Sequence, residues 1–291
     1  MMDFVKRLID IDELERISVG DKTGFKHRRH RFVLPLLLHA QREGVLPQPC
    51  TLICFDRHHD CLPPREIEKT REIDIASISM FDFTVFCERD LSPRNDEWII
   101  AGIELGMIQD VIVIGVDDIH CAAAENGKYP PGSDSYSRVV FKTGHLGHML
   151  EYQGHLADHA SSRSHADFWD ILGWRFEQGI KYWFNDERPP FLLDIDLDCF
   201  SFELASGEFT IPWPDEVYEK WYLAETDYGM TYKTTGKDVF QGLVERSGLI
   251  TIATEPGCCG SKEKSEQILN DVNRILLDGT LEVHELKPIQ G

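Results

Sequence analysis

The chain reads as an α/β protein with a largely parallel central sheet and helices on both faces. Three observations predict it. Apolar runs of strand length recur, helical periodicity fills most of the intervals between them, and two runs stop abruptly at clusters of carboxylates and imidazoles. Open α/β sheets build their sites at the carboxyl ends of strands, which is where both clusters fall. With 291 residues and no low-complexity linker, residues 1–291 are expected to form a single domain.

In chain order, residues 31–42 carry helical periodicity and residues 51–55 form a buried-strand candidate. Residues 84–87 read as another short strand. Ser92-Pro93 predicts a helix start, because a capping residue precedes a proline at the first helical position. Residues 110–116, 190–195, 249–254 and 281–286 read as further strands. Residues 261–278 are the clearest helix: Ile268, Leu269, Val272, Ile275 and Leu276 share a face and Gly279 lies just beyond. Residues 122–165, rich in Gly, Ser, Pro and His, predict a long excursion over one edge of the site.

Charge narrows the partners. Fifty acidic against 30 basic side chains give a formal net charge of -20, which argues against nucleic acid and against an anionic membrane. It suits a cationic ligand, or simply solubility. The eight cysteines lack the paired spacing of a zinc ribbon and several sit in apolar runs, so reduced thiols and a cytoplasmic location are expected. The first residues do not read as a signal peptide, and no apolar stretch approaches the roughly 20 residues of a membrane span.

The first cluster, Asp56-Arg57-His58-His59-Asp60, follows the apolar Leu52-Ile53-Cys54-Phe55. On an extended chain Asp56, His58 and Asp60 share a face. In the second, Asp194, Asp196 and Asp198 alternate with Ile195 and Leu197, which sets like charges roughly 7 Å apart on one face. Either cluster alone has a plain reading, a loop balanced by Arg57 and Arg65 or a solvated edge strand. Buried together they need positive charge, and a divalent cation is the simplest source.

These residues resemble a known pattern. Asp56-Arg57-His58-His59-Asp60 is similar to the Asp-x-His-x-Asp motif of the arginase and ureohydrolase superfamily, and Asp194-Ile195-Asp196 to its Asp-x-Asp motif. From about His27 to the terminal helix the chain resembles most closely an arginase-fold group that includes peptide arginases, which convert arginine side chains in a peptide to ornithine. The resemblance implies a three-layer arginase-like fold and two Mn²⁺ ions. Asp56 and Asp194 would bridge them; Asp60 and an upstream histidine would complete one shell, His58 and Asp196 the other. His30 is preferred as that histidine, with His27 the alternative. Glu255, in "ATEPG", matches a glutamate that grips the substrate guanidinium. The usual Gly-Gly-Asp-His context of the first ligand is missing, and Asp198-Cys199 replaces the usual Asp-Pro, so Asp198 is open between metal ligand and orienting residue.

Six ligands of which four are carboxylates suit Mn²⁺ better than a thiolate-rich zinc site would. Asp60 would accept a proton from the nucleophile while Glu255 orients the substrate. The proton donor is open among His59, His120, His145, His148, His155 and His159. The implied function is a dinuclear hydrolase of guanidino groups acting on an arginine-containing peptide. A metal-dependent amide deacylase, an enzyme for free arginine or agmatine, and a non-catalytic metal-containing binding module are the alternatives. The chain carries no Gly-x-Ser-x-Gly, His-Glu-x-x-His, P-loop or dinucleotide fingerprint.

Overall fold

The computed structural model describes residues 2–116, 127–142, 144–147, 188–203, 210–227, 233–284 and 286. Helix α1 (Met2–Asp12) leads into a hairpin of β1 (Glu15–Val19) and β2 (Lys22–His27). A single 3-10 turn then enters α2 (Val33–Arg42), which leads to β3 (Cys50–Phe55). Helices α3 (Ile67–Arg71), α4 (Met80–Arg89) and α5 (Trp98–Glu104) precede β4 (Ile108–Ile114). Next come β5 (Lys128–Tyr129), β6 (Ser137–Lys142) and β7 (Phe191–Asp196). A small hairpin of β8 (Ser201–Glu203) and β9 (Thr210–Pro212) and the short helix α6 (Asp215–Tyr218) follow. A second small pair, β10 (Thr226–Asp227) and β11 (Lys233–Thr234), leads to α7 (Gly236–Arg246), β12 (Ser247–Ala253), α8 (Lys262–Leu276) and β13 (Leu281–His284).

Nine strands form one sheet in the order β13-β1-β2-β12-β7-β3-β4-β6-β5. From β2 to β6 every pairing is parallel, and the antiparallel pairings lie at the two edges. The central strands alternate between two apolar layers. Ile53, Phe55, Leu193 and Ile195 pack with Val239, Phe240, Ile268 and Val272 of α7 and α8. Leu52, Cys54 and Leu192 pack with Leu34, Leu37, Phe83 and Ile99 of α2, α4 and α5. Burial on both faces explains why these strands read as continuous apolar runs.

One close approach sets the site. A Cβ on Gly24 would stand 2.2 Å from the Ile250 carbonyl oxygen, so only glycine lets β2 pair with β12 at this register. That pairing brings His27, the last residue of β2, beside Ala253 near the carboxyl end of β12.

Several expectations are corrected. Residues 84–87 belong to α4: Phe83, Phe86 and Cys87 are buried at helical spacing, and Ser79 caps the start by accepting from the Asp82 N–H at 3.0 Å. Ser92-Pro93 opens a turn rather than a helix. Ser92 Oγ accepts from Arg94 N at 3.2 Å, Asn95 takes the left-handed conformation, and α5 begins only at Trp98. Within residues 122–165, β5 and β6 extend the sheet, with Val139 and Val140 buried, so that part is not an excursion. His120, His148, His155 and His159 lie outside the described residues. The remaining strand expectations and the helices at 31–42 and 261–278 match within a few residues, and Ser261 caps α8 by accepting from Lys264 N. Among the described residues no helix is long and apolar enough to cross a membrane.

Candidate metal centre

Four adjacent parallel strands deliver the site from their carboxyl ends. Asp194 and Asp196 are the last residues of β7 that point to the α2 side; Asp56 follows β3; Glu255 follows β12; His30 comes three residues after β2. Asp194 occupies the register position opposite Cys54 on one neighbour and Thr251 on the other. Both partners donate to it, Thr251 Oγ1 at 2.5 Å and Cys54 Sγ at 3.2 Å. The alternating positions predicted from sequence thus sit on one face, and Asp56, Asp194, Asp196 and Asp198 are all essentially without solvent contact.

His30 lies in the middle of these acids. Its Nε2 is 2.9 Å from Asp194 Oδ2; its Nδ1 is 3.1 Å from Asp60, 3.3 Å from Asp196 and 3.7 Å from Asp56. His27, the alternative, is buried with its ring 6.3 Å from that of His30 and its Nδ1 directed to the Arg29 carbonyl at 3.2 Å. His58 is half exposed and faces Asp198, with Nδ1 2.9 Å from Oδ2; Asp56 is 3.9 Å away. The direct neighbour of His58 is thus Asp198, which the 3-10 turn after β7 carries toward the first cluster. Asp198 N–H donates to Asp196 Oδ1 at 3.0 Å, which fixes that turn.

The remaining predicted residues flank this centre. Asp60 Oδ2 accepts from Trp98 Nε1 at 3.0 Å. Glu255 Oε1 accepts from His30 N at 3.1 Å and from Asn95 Nδ2 at 2.5 Å. Asp60, Asn95 and Glu255 all have positive φ, an unfavourable conformation for residues with side chains, and one that clusters at functional sites. A cavity of about 520 Å³ opens beside them, its wall including His58, Asp60, Arg94, Glu203, Glu255 and Cys258. Trp98, Asn95 and Cys258 join the predicted residues: a tryptophan at a helix start reads as core, whereas Ser92-Pro93-Arg94-Asn95 carries a turn signal, with asparagine at the left-handed position.

Charge in the centre is strongly frustrated. Burial, then Asp60 and Asp196 nearby, push the Asp56 carboxyl well above its usual range; burial and Asp198 do the same to Asp196. Burial opposes ionisation of Asp194 and Asp198 too, but His30 and His58 respectively hold them below it. Burial works against a charged His30, yet Asp194 and Asp196 raise it well above normal, and Asp198 overcomes burial to push His58 up to about 9.

Two contacts are close but poorly aligned. His30 Nε2 and Asp198 Oδ2 are buried and make no well-formed hydrogen bond, although each has a partner atom 2.9 Å away. Asp56 Oδ2 is likewise buried and unbonded. Ring nitrogens and carboxylate oxygens that stand side by side, out of line with one another, are close enough to hold an ion in common. Sets such as His30 with Asp56 and Asp60, or Asp56 with Asp196 and Asp198, have ligand atoms within 4.8 Å of one another. The donors are mostly hard oxygens, fitting Mn²⁺ or a similar ion.

Comparison with protein-family models and with curated proteins found no match to this chain.

Proposed function

We propose that the chain is a dinuclear Mn²⁺-dependent hydrolase of guanidino groups, built on a three-layer arginase-like fold, that converts arginine side chains within a peptide to ornithine and releases urea. The observation that carries this reading is the convergence of buried, unbonded carboxylate oxygens with His30, next to a buried glutamate at a cavity wall. Asp56 and Asp194 would bridge the ions; His30 and Asp60 would complete one shell, and His58 and Asp196, with Asp198 in reach, the other. Two such cations supply Lewis-acid charge and bring a water's pKa toward neutrality.

The chain's own residues do the rest. Glu255 is held by His30 N and Asn95 Nδ2, so its carboxylate is oriented before a guanidinium arrives to donate a pair of N–H groups. Asp60 is fixed by Trp98 and stands beside His30, placed to take the proton that the attacking water loses. Water adds to the guanidinium carbon, the proton it gives up is passed on to the side-chain nitrogen, the bond from carbon to that nitrogen breaks, and the ornithine amine leaves with the remaining proton of the added water, freeing urea. The acidic chain draws an arginine-bearing peptide by long-range attraction.

A second reading has its own support. His30 alone, when protonated, places a cation among the four aspartates, so a former enzyme that only docks partners would balance its acids without metal. Metal counting by native mass spectrometry after Mn²⁺ loading separates the two, and urea release from arginyl peptides then tests the chemistry. Two bound ions with turnover of peptides are expected. Turnover of free arginine with no action on peptides would sink the substrate assignment, bound metal without turnover would favour the metal-containing binding module, and absence of bound metal would favour a former enzyme that docks partners.

A further inference from the structure

We propose that His58, Asp198 and Cys258 form a thiolate-bearing metal position at the cavity wall, one that takes a thiophilic divalent ion such as Zn²⁺ or Co²⁺. This rests on reading the centre as a metal site. It departs from two equivalent manganese positions, because the ion beside His58 gains a sulfur donor.

The three ligand atoms lie within 4.8 Å of one another. Asp198 is fully buried, and its Oδ2 lacks a well-formed hydrogen bond although His58 Nδ1 stands 2.9 Å away. The carboxylate is not free to turn: Oδ1 accepts from Arg57 N at 3.4 Å, which leaves Oδ2 directed at His58. Arg57 Nη2, 3.8 Å from the same oxygen, offsets only part of the charge that Asp56, Asp196, Asp198 and Glu255 bring together.

Cys258 arrives from the turn after β12. Its N–H and that of Cys259 both donate to the Glu255 carbonyl, at 2.9 and 3.0 Å. This turn splits the two thiols. Cys259 is buried with Sγ directed at the Thr254 carbonyl, whereas Cys258 is partly exposed on the cavity wall with Sγ 3.3 Å from Glu255 Oε2. Among the described cysteines only Cys258 is not buried.

One imidazole nitrogen, one carboxylate oxygen and one sulfur make a three-donor set with a position left open, the pattern of catalytic zinc-type sites and a softer set than the oxygen-rich shell on the His30 side. Burial and Glu255, which accepts the Cys258 S–H, keep the thiol protonated in the free chain; on binding that hydrogen bond and the S–H bond break, the proton leaves to solvent and the sulfur bonds the ion, with no change of oxidation state.

The test is a Co²⁺ titration of the chelator-treated full chain, followed by absorption spectroscopy and by native mass spectrometry for the number of ions bound. A thiolate-to-cobalt charge-transfer band in the near ultraviolet is expected for the wild type. It should vanish in Cys258→Ser and persist in Cys259→Ser, with ion binding at the His30 side intact in both. Cobalt bound without the band, or a band that survives Cys258→Ser, would overturn the thiolate while leaving the metal centre standing. A wild-type chain that binds no cobalt would overturn both.

Discussion

His30 and Asp194 come from strand ends two places apart in the sheet, yet ring nitrogen and carboxylate oxygen meet at 2.9 Å and out of line for a hydrogen bond. Asp194 is held on its other oxygen by Thr251, so neither group is adrift. If both donate to ions, Asp194 is the acid whose loss is felt most widely. Asp194→Ala and Asp56→Ala are each expected to release both ions, counted by native mass spectrometry, whereas Asp60→Ala should release one. Retention of one ion by Asp194→Ala would contradict its bridging role.

Removing metal should expose the electrostatic frustration. His58 has a folded pKa of about 9, above its ordinary 6.5, and His30 is raised in the same direction. A raised histidine pKa contributes stability that is complete below the unfolded value and lost as pH rises through the folded one. The raised carboxyls of Asp56 and Asp196 act with the same sign, since ionising them in the folded chain is opposed. Asp194 and Asp198, with lowered pKa values, have already contributed in full above the acid range. The chelator-treated chain is therefore expected to lose thermal stability steadily from about pH 6 to 9, and Mn²⁺ should flatten that slope. A melting temperature that climbs over this range in chelator would show that the acids are balanced by something else.

Much of the centre was legible because burying acids on a strand has so few explanations. Asp194 and Asp196 follow Phe191-Leu192-Leu193 and alternate with Ile195 and Leu197, so the sequence favours burial over a solvated edge, and both are buried. Strands β3, β7 and β12 were legible for the same reason, being covered on both faces. The hairpin of β1 and β2 was not: it is rich in Lys, Arg and Glu, and its place depends on the contact of Gly24 with Ile250, which is tertiary. The 84–87 run misled because four apolar or β-branched residues fit either period, and only the flanking Ser79 and Phe83 reveal a helix.

Gly24→Ala probes that hairpin directly. The added methyl would meet backbone rather than a movable side chain, so β2 must withdraw from β12. A loss of about 2–3 kcal/mol in chemical denaturation is expected. Metal affinity should fall with it, because His30 hangs from the end of β2. Unchanged stability would mean that the pairing is looser than the register implies.

Trp98 offers a separable test of Asp60. Trp98→Phe keeps an aromatic ring in the core but removes the Nε1 donor, leaving a buried carboxylate oxygen with one fewer partner. About 1–2 kcal/mol of stability should be lost. If Asp60 handles a proton during turnover, kcat should drop roughly tenfold with KM little changed, since the lost contact orients a reacting group rather than the substrate. A rise in KM alone would reassign Asp60 to binding.

The pair of Asn95 and Glu255 separates backbone strain from substrate orientation. Both residues have positive φ, and the Asn95 amide donates to Glu255 Oε1 at 2.5 Å. Asn95→Gly removes the amide but adopts the left-handed backbone readily, so the fold should lose little while Glu255 loses a donor that aims it. Asn95→Ala removes the same amide and adds about 1 kcal/mol of conformational cost. If Glu255 grips a guanidinium, both variants should raise KM for an arginyl peptide to a similar extent, about tenfold for one lost orienting bond, and only the alanine variant should melt earlier. Glu255→Gln sets the limit, since it exchanges a charge-assisted pair for a neutral one and should weaken binding further than either. Equal KM values for wild type and Asn95→Gly would detach the amide from substrate binding and leave Asn95 as a turn residue alone.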